Sequence, residues 1–231
     1  MCFAKRFILK SIYLSKKSYI LTKVYDFLLR NNMEIKKEYA FGEIVESSLY
    51  SFTVKCWQWD NSASFGSLVV AVDSEKKVYG IVYKIKTESF NPIQTGTTYQ
   101  KTENQMKEEF PHVFEFLETT CEILILGYQN HENEIINQYP SKLIKLYSFV
   151  SRAQEEEIIN FLKKDSYVYL LTKHTFAIEH IEELLYAIIK IQKSLNIFAE
   201  NRCISLLTQY ATSQNISYVQ LRHMVSKIEQ L

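Results

Sequence analysis

Between residues 41 and 86 the chain alternates apolar and polar positions with the two-residue period of half-buried β-strands. Four segments there are rich in valine, isoleucine and aromatic residues: FGEIVESS, LYSFTVKCWQW, GSLVVAV and KVYGIVYKIK. Because four short strands follow one another in fewer than fifty residues, the pattern predicts a small β-barrel or a sandwich. Gly66 and Gly80 fit the bends or bulges that small barrels need.

The second segment contains both tryptophans of the chain, and its alternate residues define two faces of one strand. One face holds Phe52, Val54, Cys56 and Gln58, and the other holds Thr53, Lys55, Trp57 and Trp59. Alternation alone leaves open which face points inward. We favour burial of Trp57 and Trp59 in the core. The alternative is an exposed face that binds a partner, and its candidate residues are Tyr50, Lys55, Trp57 and Trp59.

The next part of the chain mixes polar and strand-like segments. We interpret the polar residues 87–102 as a solvated excursion, with a binding loop as the alternative. Thr102 and Gln105 match a capping box and predict a short helix that ends before Pro111. Strands return in CEILILGYQ and EIINQ, with NHEN as their hairpin tip, and KLYSFV is the last candidate strand.

The periodicity becomes helical after residue 150. Ser151 and Gln154 match a second capping box and predict a helix over 151–164, in which the acids at 155–157 suit a solvated helix start. Further helices are predicted over 178–195, from residue 199 onward, and after a third capping box formed by Ser217 and Gln220.

The pattern therefore predicts an α+β fold, in which a small, closed or partly closed N-terminal β-barrel precedes a C-terminal helical bundle. A chain of 231 residues with 47% hydrophobic content can bury such a core. We assign residues 1–38 to a basic, detached leader, residues 39–150 to the barrel with its inserted short helix, and residues 151–231 to the helical domain.

The net charge of +1 hides an uneven distribution of charged residues. Residues 1–32 contain seven of the 27 lysines and arginines but one of the 26 acids, so the other residues together carry a charge of −5. Because phosphate neutralisation dominates nucleic-acid binding, this acidic body argues against nucleic acid as a partner. The sequence has no run of eighteen apolar residues, and we expect no membrane-spanning helix.

The basic leader has three interpretations. Its composition is typical of an organelle transit segment. Ile20, Val24, Phe27 and Leu28 have the spacing of an amphipathic helix that binds a surface. The leader can also lie upstream of the true start, since Met33 stands directly before the first predicted strand, and we favour this third interpretation.

The sequence shows no recognisable catalytic or metal-binding constellation. Its four cysteines, at positions 2, 56, 121 and 203, lack the spacing of a disulfide framework or a zinc site. His174 and His180 are six residues apart, which does not place them on one helix face as a metal pair. We interpret Cys56 as a small buried strand residue rather than an activated thiol. We therefore predict a protein that is not an enzyme and binds no cofactor or metal.

A longer set of segments resembles a known barrel. The segments are Gly42-Glu43-Ile44-Val45, Phe52-Thr53-Val54, Phe65-Gly66-Ser67-Leu68-Val69 and Val78-Tyr79-Gly80-Ile81-Val82. They resemble the HAS barrel that HerA-type helicases share with rotary ATP synthase subunits. CWQWDN, YQKTE, FEFLETT and LGY extend the similarity over most of the chain after Met33, where it is closest to uncharacterised HAS-barrel proteins of cyanobacteria and plastids.

The resemblance implies a barrel that docks on another protein, in a plastid stroma or a cyanobacterial cytoplasm. An ATPase domain would need a GxxxxGK[ST] loop, and the five glycines are too scattered to form one. The expected function is a non-catalytic protein–protein interaction or assembly module without a motor, whose partner the sequence does not identify. The alternative is a factor that binds single-stranded nucleic acid by stacking bases on Trp57 and Trp59.

Deletion of residues 1–32 tests the interpretation of the leader. If Met33 is the working start, we expect the melting temperature to change by no more than about 2 °C, because a frayed terminus adds little cooperative stability. If the apolar leader residues pack in the core, the deletion removes side chains worth about 1.5–3 kcal/mol each and lowers the melting temperature strongly. Thermal unfolding followed by circular dichroism distinguishes the two results.

Overall fold

The computed structural model describes residues 37–73, 76–90, 98–130, 132–173 and 181–230. The expected detachment of residues 1–32 therefore lies outside the described residues. Of the predicted leader, Lys37 and Glu38 are described, and they belong to a 3-10 helix, Lys37–Tyr39, that leads into the first strand.

Within these ranges, seven antiparallel strands form one sheet, and six of them close into a barrel. The strands are β1 (Ala40–Ser47), β2 (Ser51–Cys56), β3 (Leu68–Asp73), β4 (Lys76–Ser89), β5 (Leu117–Gln129), β6 (Ile135–Ile136) and β7 (Phe149–Arg152). Their order is β2-β1-β7-β3-β4-β5-β6, and β2 also pairs with β5. We call this closing β2–β5 pairing the seam. The prediction of a closed barrel is confirmed, and β6 continues the sheet outside the ring.

The four strands predicted in the first half of the chain are confirmed, although their ends differ. β2 ends at Cys56 instead of continuing through both tryptophans, because the chain turns at Gln58. The backbone carbonyl of Gln58 accepts a hydrogen bond from the backbone amide of Asn61. β4 and β5 form a longer ladder than predicted, which continues to the pair of Ser89 and Leu117. β6 has two residues, so only Ile135 and Ile136 of the strand predicted over EIINQ are in the sheet.

The barrel interior is filled mainly by one face of each strand. Its buried apolar residues are Phe41, Ile44, Phe52, Val54, Cys56, Ala63, Val69, Ala71, Val78, Val82, Cys121, Ile123, Ile125, Ile144 and Val150. Because Phe52, Val54 and Cys56 point inward, the alternate face of β2 points outward. The preference for burying both tryptophans in the core is therefore wrong: Trp57 is exposed, and Trp59 is half-buried.

Glycines allow close approach and curvature at two places in the barrel. A Cβ atom at position 42 would collide with the Lys55 carbonyl oxygen and lie 2.8 Å from Val54 Cγ1, so Gly42 lets β1 approach β2. Gly80 lies at a register shift between β4 and β5, as the prediction of a bend or bulge requires. Gly66, with a φ of 74°, precedes β3.

Six α-helices belong to the described part of the chain. They are α1 (Glu103–Glu109), α2 (Glu155–Leu162), α3 (Tyr167–Lys173), α4 (Ile181–Ser194), α5 (Glu200–Gln214) and α6 (Tyr218–Glu229), and a 3-10 helix, Pro111–Phe116, follows α1. The capping boxes predicted at Thr102 and Ser217 are confirmed. None of the described helices is both long enough and apolar enough to cross a membrane.

The helix predicted from Ser151 begins later than expected. Ser151 pairs with β1 and β3, so it belongs to the barrel, and the capping box predicted for Ser151 and Gln154 is wrong. Gln154 itself caps α2, and its backbone amide donates a hydrogen bond to Glu157 Oε2 at 2.8 Å. The predicted domain boundary after Val150 consequently falls inside β7.

The outer face of the barrel shares an apolar core with the helices. Its strand residues are Leu68, Val70, Tyr79, Ile81, Leu124 and Leu126, and its helical residues include Phe161, Tyr167, Leu171, Leu184, Ile188, Leu206 and Met224. Arg202 of α5 bonds to Asp165 Oδ1 at 2.5 Å and to the Leu162 carbonyl, which ties α5 to the turn between α2 and α3. The protein is therefore α+β: α1 is inserted between β4 and β5, and α2 to α6 follow the barrel in sequence and pack on its outer face.

We expect Gly42→Ala to lower the free energy of unfolding by about 1–3 kcal/mol, because the added methyl group overpacks the contact between β1 and β2. Urea unfolding followed by circular dichroism measures the loss. Lys86→Ala is the control: Lys86 is exposed on β4, and its replacement should change stability by no more than about 0.5 kcal/mol. Equal stability of Gly42→Ala and the wild type would contradict the close approach of the two strands.

Candidate functional site

Trp57 follows the last residue of β2 and presents its indole at the surface, with 39% of the residue exposed. Its ring meets Phe149 of β7 edge-on, with the ring centroids 5.2 Å apart and an interplanar angle of 90°. The indole N–H donates to Glu43 Oε1 of β1 at 3.2 Å, and Lys37 Nζ lies 5.7 Å from the ring centroid. Contacts from three separate elements therefore hold an exposed indole in one orientation.

Trp59 turns away from Trp57 and contacts different elements. It is half-buried, and its ring stacks on Phe114 of the 3-10 helix Pro111–Phe116 with centroids 5.8 Å apart. Its carbonyl accepts a hydrogen bond from Thr119 Oγ1 of β5 at 2.6 Å. Since Trp57 contacts β1 and β7 instead, the two indoles do not form one continuous aromatic platform.

The other two residues of the predicted face are Tyr50, which precedes β2, and Lys55, which lies in it. Tyr50 is exposed before the start of the strand, where its carbonyl accepts a hydrogen bond from the Ile125 amide at 2.8 Å. Lys55 is paired with Glu118 of β5, with Nζ and Oε1 2.6 Å apart. Because an extended chain rises about 3.3 Å per residue, Tyr50 and Trp57 are roughly 20 Å apart. Tyr50, Lys55, Trp57 and Trp59 therefore do not form the single binding face that the sequence suggested.

An open groove of about 720 Å³ lies beside Trp57, and we call it the Trp57 groove. Its lining residues are Lys37, Glu38, Ala40, Phe41, Trp57, Gln58 and Asn61. They combine apolar and aromatic groups with two amides and two side chains of opposite charge. This mixture suits a ligand that has both apolar and neutral polar groups.

The loop that joins β2 to β3 is fixed on one side of the groove by Arg152 of β7. Arg152 Nη2 donates to Asn61 Oδ1 at 2.9 Å and to the Ser62 carbonyl at 2.8 Å. The guanidinium also lies 5.5 Å from the Phe41 ring centroid. Ala63, in the same loop, is fully buried in the barrel interior. These contacts fix the Asn61 side of the groove.

The fold also brings together two cysteines whose spacing in the sequence gave no signal. Cys56 of β2 and Cys121 of β5 are both buried, and their Sγ atoms are 3.9 Å apart. The interpretation of Cys56 as a buried strand residue is confirmed. Its contact with Cys121 depends on the pairing of β2 with β5 across the seam, which the sequence alone does not reveal.

The remaining residues considered for chemistry have structural roles or lie outside the described ranges. His174 and His180 are outside them, as are residues 91–97 of the polar segment. Glu157 caps α2 and also pairs with Lys77, with a distance of 2.5 Å between Oε1 and Nζ. Over the residues that the structure describes, no group of three or more histidine, cysteine, aspartate or glutamate side chains could hold a metal ion.

Comparison with known proteins assigns no family: no protein-family model matches the chain, and no curated protein matches it either.

Proposed function

We propose that this protein is a non-catalytic interaction module that binds a segment of another protein at the Trp57 groove. The observation that carries the proposal is the exposed indole of Trp57, which Phe149 and Glu43 hold in one orientation beside an open groove. Tryptophan is enriched among the few residues that supply most of the binding energy at protein interfaces. A fixed ring adds to this, because little side-chain entropy is lost on binding.

The polar side chains around Trp57 suit a protein ligand. Gln58 and Asn61 provide amides that can bond to a peptide backbone, and Lys37 and Glu38 contribute charges of both signs. Protein interfaces commonly place an aromatic anchor within a rim of such mixed polarity. The expected ligand is a segment with an apolar or aromatic residue flanked by neutral polar groups.

The closed barrel favours binding through side chains. β1 is paired on both sides, with β2 and with β7, and β2 is paired with β1 and with β5. An added peptide strand needs an unpaired edge, and neither of the strands nearest Trp57 provides one. Since strand addition to β1 or β2 is excluded, we expect the ligand to bind through side-chain contacts with Trp57 in the groove.

The charges near Trp57 favour protein over single-stranded nucleic acid. Phosphate binding requires several available cations, and although Lys37 lines the groove, Lys55 is paired with Glu118 and Arg152 is engaged by the β2–β3 loop. Glu43 also places a carboxylate directly against the Trp57 indole. Base stacking by both tryptophans would need a shared platform, and the two rings contact different elements.

The resemblance to HAS barrels supports the same proposal. A closed six-stranded barrel is compatible with such a module. The resemblance implies a barrel that docks on another protein and lacks the motor. We extend the proposal to the compartment that the resemblance implies, a plastid stroma or a cyanobacterial cytoplasm. A lysate of that compartment is the appropriate source of partner.

Quantitative affinity capture with the full chain tests the proposal. The wild type, Trp57→Ala and Tyr218→Ala are immobilised at equal density, and the proteins retained from the lysate are compared by mass spectrometry. We expect at least one protein to be retained by the wild type and lost with Trp57→Ala. The affinity of that protein, once purified, should fall at least about 30-fold, the equivalent of about 2 kcal/mol for a hot-spot residue.

Tyr218→Ala is the matched control, because Tyr218 is an aromatic residue exposed on α6 that does not line the groove. It should retain the same protein as the wild type, and all three forms should have similar melting temperatures. Failure to find any protein whose retention depends on Trp57 would refute the proposal. If single-stranded RNA or DNA instead binds at low salt in a manner that depends on Trp57, nucleic acid replaces protein as the ligand.

A further inference from the structure

Cys56 and Cys121 face each other inside the barrel, across the seam. Their Sγ atoms are 3.9 Å apart, and the two residues are 7% and 0% exposed. In the ladder Val54 pairs with Cys121 and Lys55 pairs with Thr120, so the cysteines are diagonal neighbours on the interior face. Both are free thiols. The pairing that closes the barrel therefore also places two oxidisable groups side by side.

The β2–β3 loop reaches this thiol pair. Ala63 of the loop is fully buried in the same apolar cluster, and its backbone amide donates a hydrogen bond to the Cys121 sulfur. Arg152 holds the loop through Asn61 and the Ser62 carbonyl, and its positive charge acts on both thiols. The sulfur atoms thus lie in the barrel interior beneath the β2–β3 loop, at the end of β2.

The two thiols differ in how readily they ionise. The hydrogen bond from Cys56 lowers the pKa of the Cys121 thiol; burial opposes this effect, and the Ala63 amide and the charge of Arg152 add to it. The same hydrogen bond, together with burial, raises the pKa of the Cys56 thiol. The Ala63 amide and the charge of Arg152 thus favour the thiolate form of Cys121, and the thiolate is the reactive form of cysteine.

We propose that Cys56 and Cys121 form an intramolecular disulfide in the folded protein, with hydrogen peroxide as the oxidant. The Cys121 sulfur attacks one peroxide oxygen, the O–O bond breaks, and the sulfur becomes a sulfenic acid as water leaves. The Cys56 sulfur then attacks the Cys121 sulfur, the S–O bond breaks, and a second water leaves as the S–S bond forms. Two thiols are thereby oxidised by two electrons, and one peroxide is reduced to two waters.

The geometry makes this step local. The sulfur atoms have to approach from 3.9 Å to about 2.05 Å. Because diagonal neighbours in a ladder are set wider apart than residues directly opposite, β2 and β5 draw together slightly at this end of the seam as the bond forms. The product is a covalent link across the seam between residues 65 positions apart. A reductant of the dithiol class reverses it by thiol–disulfide exchange.

Peroxide treatment of the folded full chain carrying Cys2→Ser and Cys203→Ser tests the proposal, because this variant retains only the pair. After treatment the protein is denatured, alkylated with N-ethylmaleimide and weighed. We expect the monomer mass to fall by about 2 Da, with neither cysteine alkylated, since both sulfurs are in the disulfide. Dithiothreitol should restore alkylation at both cysteines.

Addition of Cys56→Ser to the same chain provides the matched control, in which Cys121 can add oxygen but cannot form an intramolecular disulfide. The far-ultraviolet circular dichroism of each form establishes that oxidation takes place in the folded state. The proposal is overturned if both cysteines of the pair remain alkylatable after peroxide treatment. It is also overturned if they gain oxygen without linking, or if the link forms only after unfolding in urea.

Discussion

Residues Ser51 to Lys55 of β2 pair with Leu124 to Thr120 of β5, and these hydrogen bonds turn an open antiparallel sheet into a barrel. Without them β2 would end the sheet with an unpaired edge, and the inward faces of both strands would lose their cover. With them, Phe52 and Val54 share one interior with Cys121 and Ile123. The seam also sets the position of Trp57, which follows β2 directly and is held by β1 and β7 on the opposite side of that strand.

Local periodicity was sufficient to predict most strands and helices, because their apolar positions match the faces that the fold buries. The failures are places where tertiary contacts override a local signal. Ser151 and Gln154 have the spacing of a capping box, but Ser151 pairs with β1 and β3 in the barrel. The helix therefore begins later, with Gln154 as its N-cap. α3 was missed because Tyr167 to Lys173 form one short apolar segment, whose burial depends on the barrel's outer face.

The candidate site was predictable only in part. The sequence drew attention to Trp57, but alternation cannot tell the inside of a strand from its outside, and aliphatic and phenylalanine side chains rather than indoles fill the barrel. The grouping of Trp57 with Trp59 and Tyr50 assumed one straight strand, whereas the turn at Gln58 separates the tryptophans. The groove and the pair of cysteines depend on contacts between β1, β2, β5 and β7, which are distant in sequence and leave no local pattern.

Hydrogen exchange of the backbone amides along β2, followed by nuclear magnetic resonance, tests the closed barrel most directly. In a closed barrel β2 is bonded to β1 on one side and to β5 on the other, so consecutive amides from Phe52 to Lys55 should all exchange slowly. In a sheet that is open at the seam, only the amides directed toward β1 would be protected. Slow exchange at consecutive residues is the result expected here, and an alternation of slow and fast exchange along β2 would contradict the closed barrel.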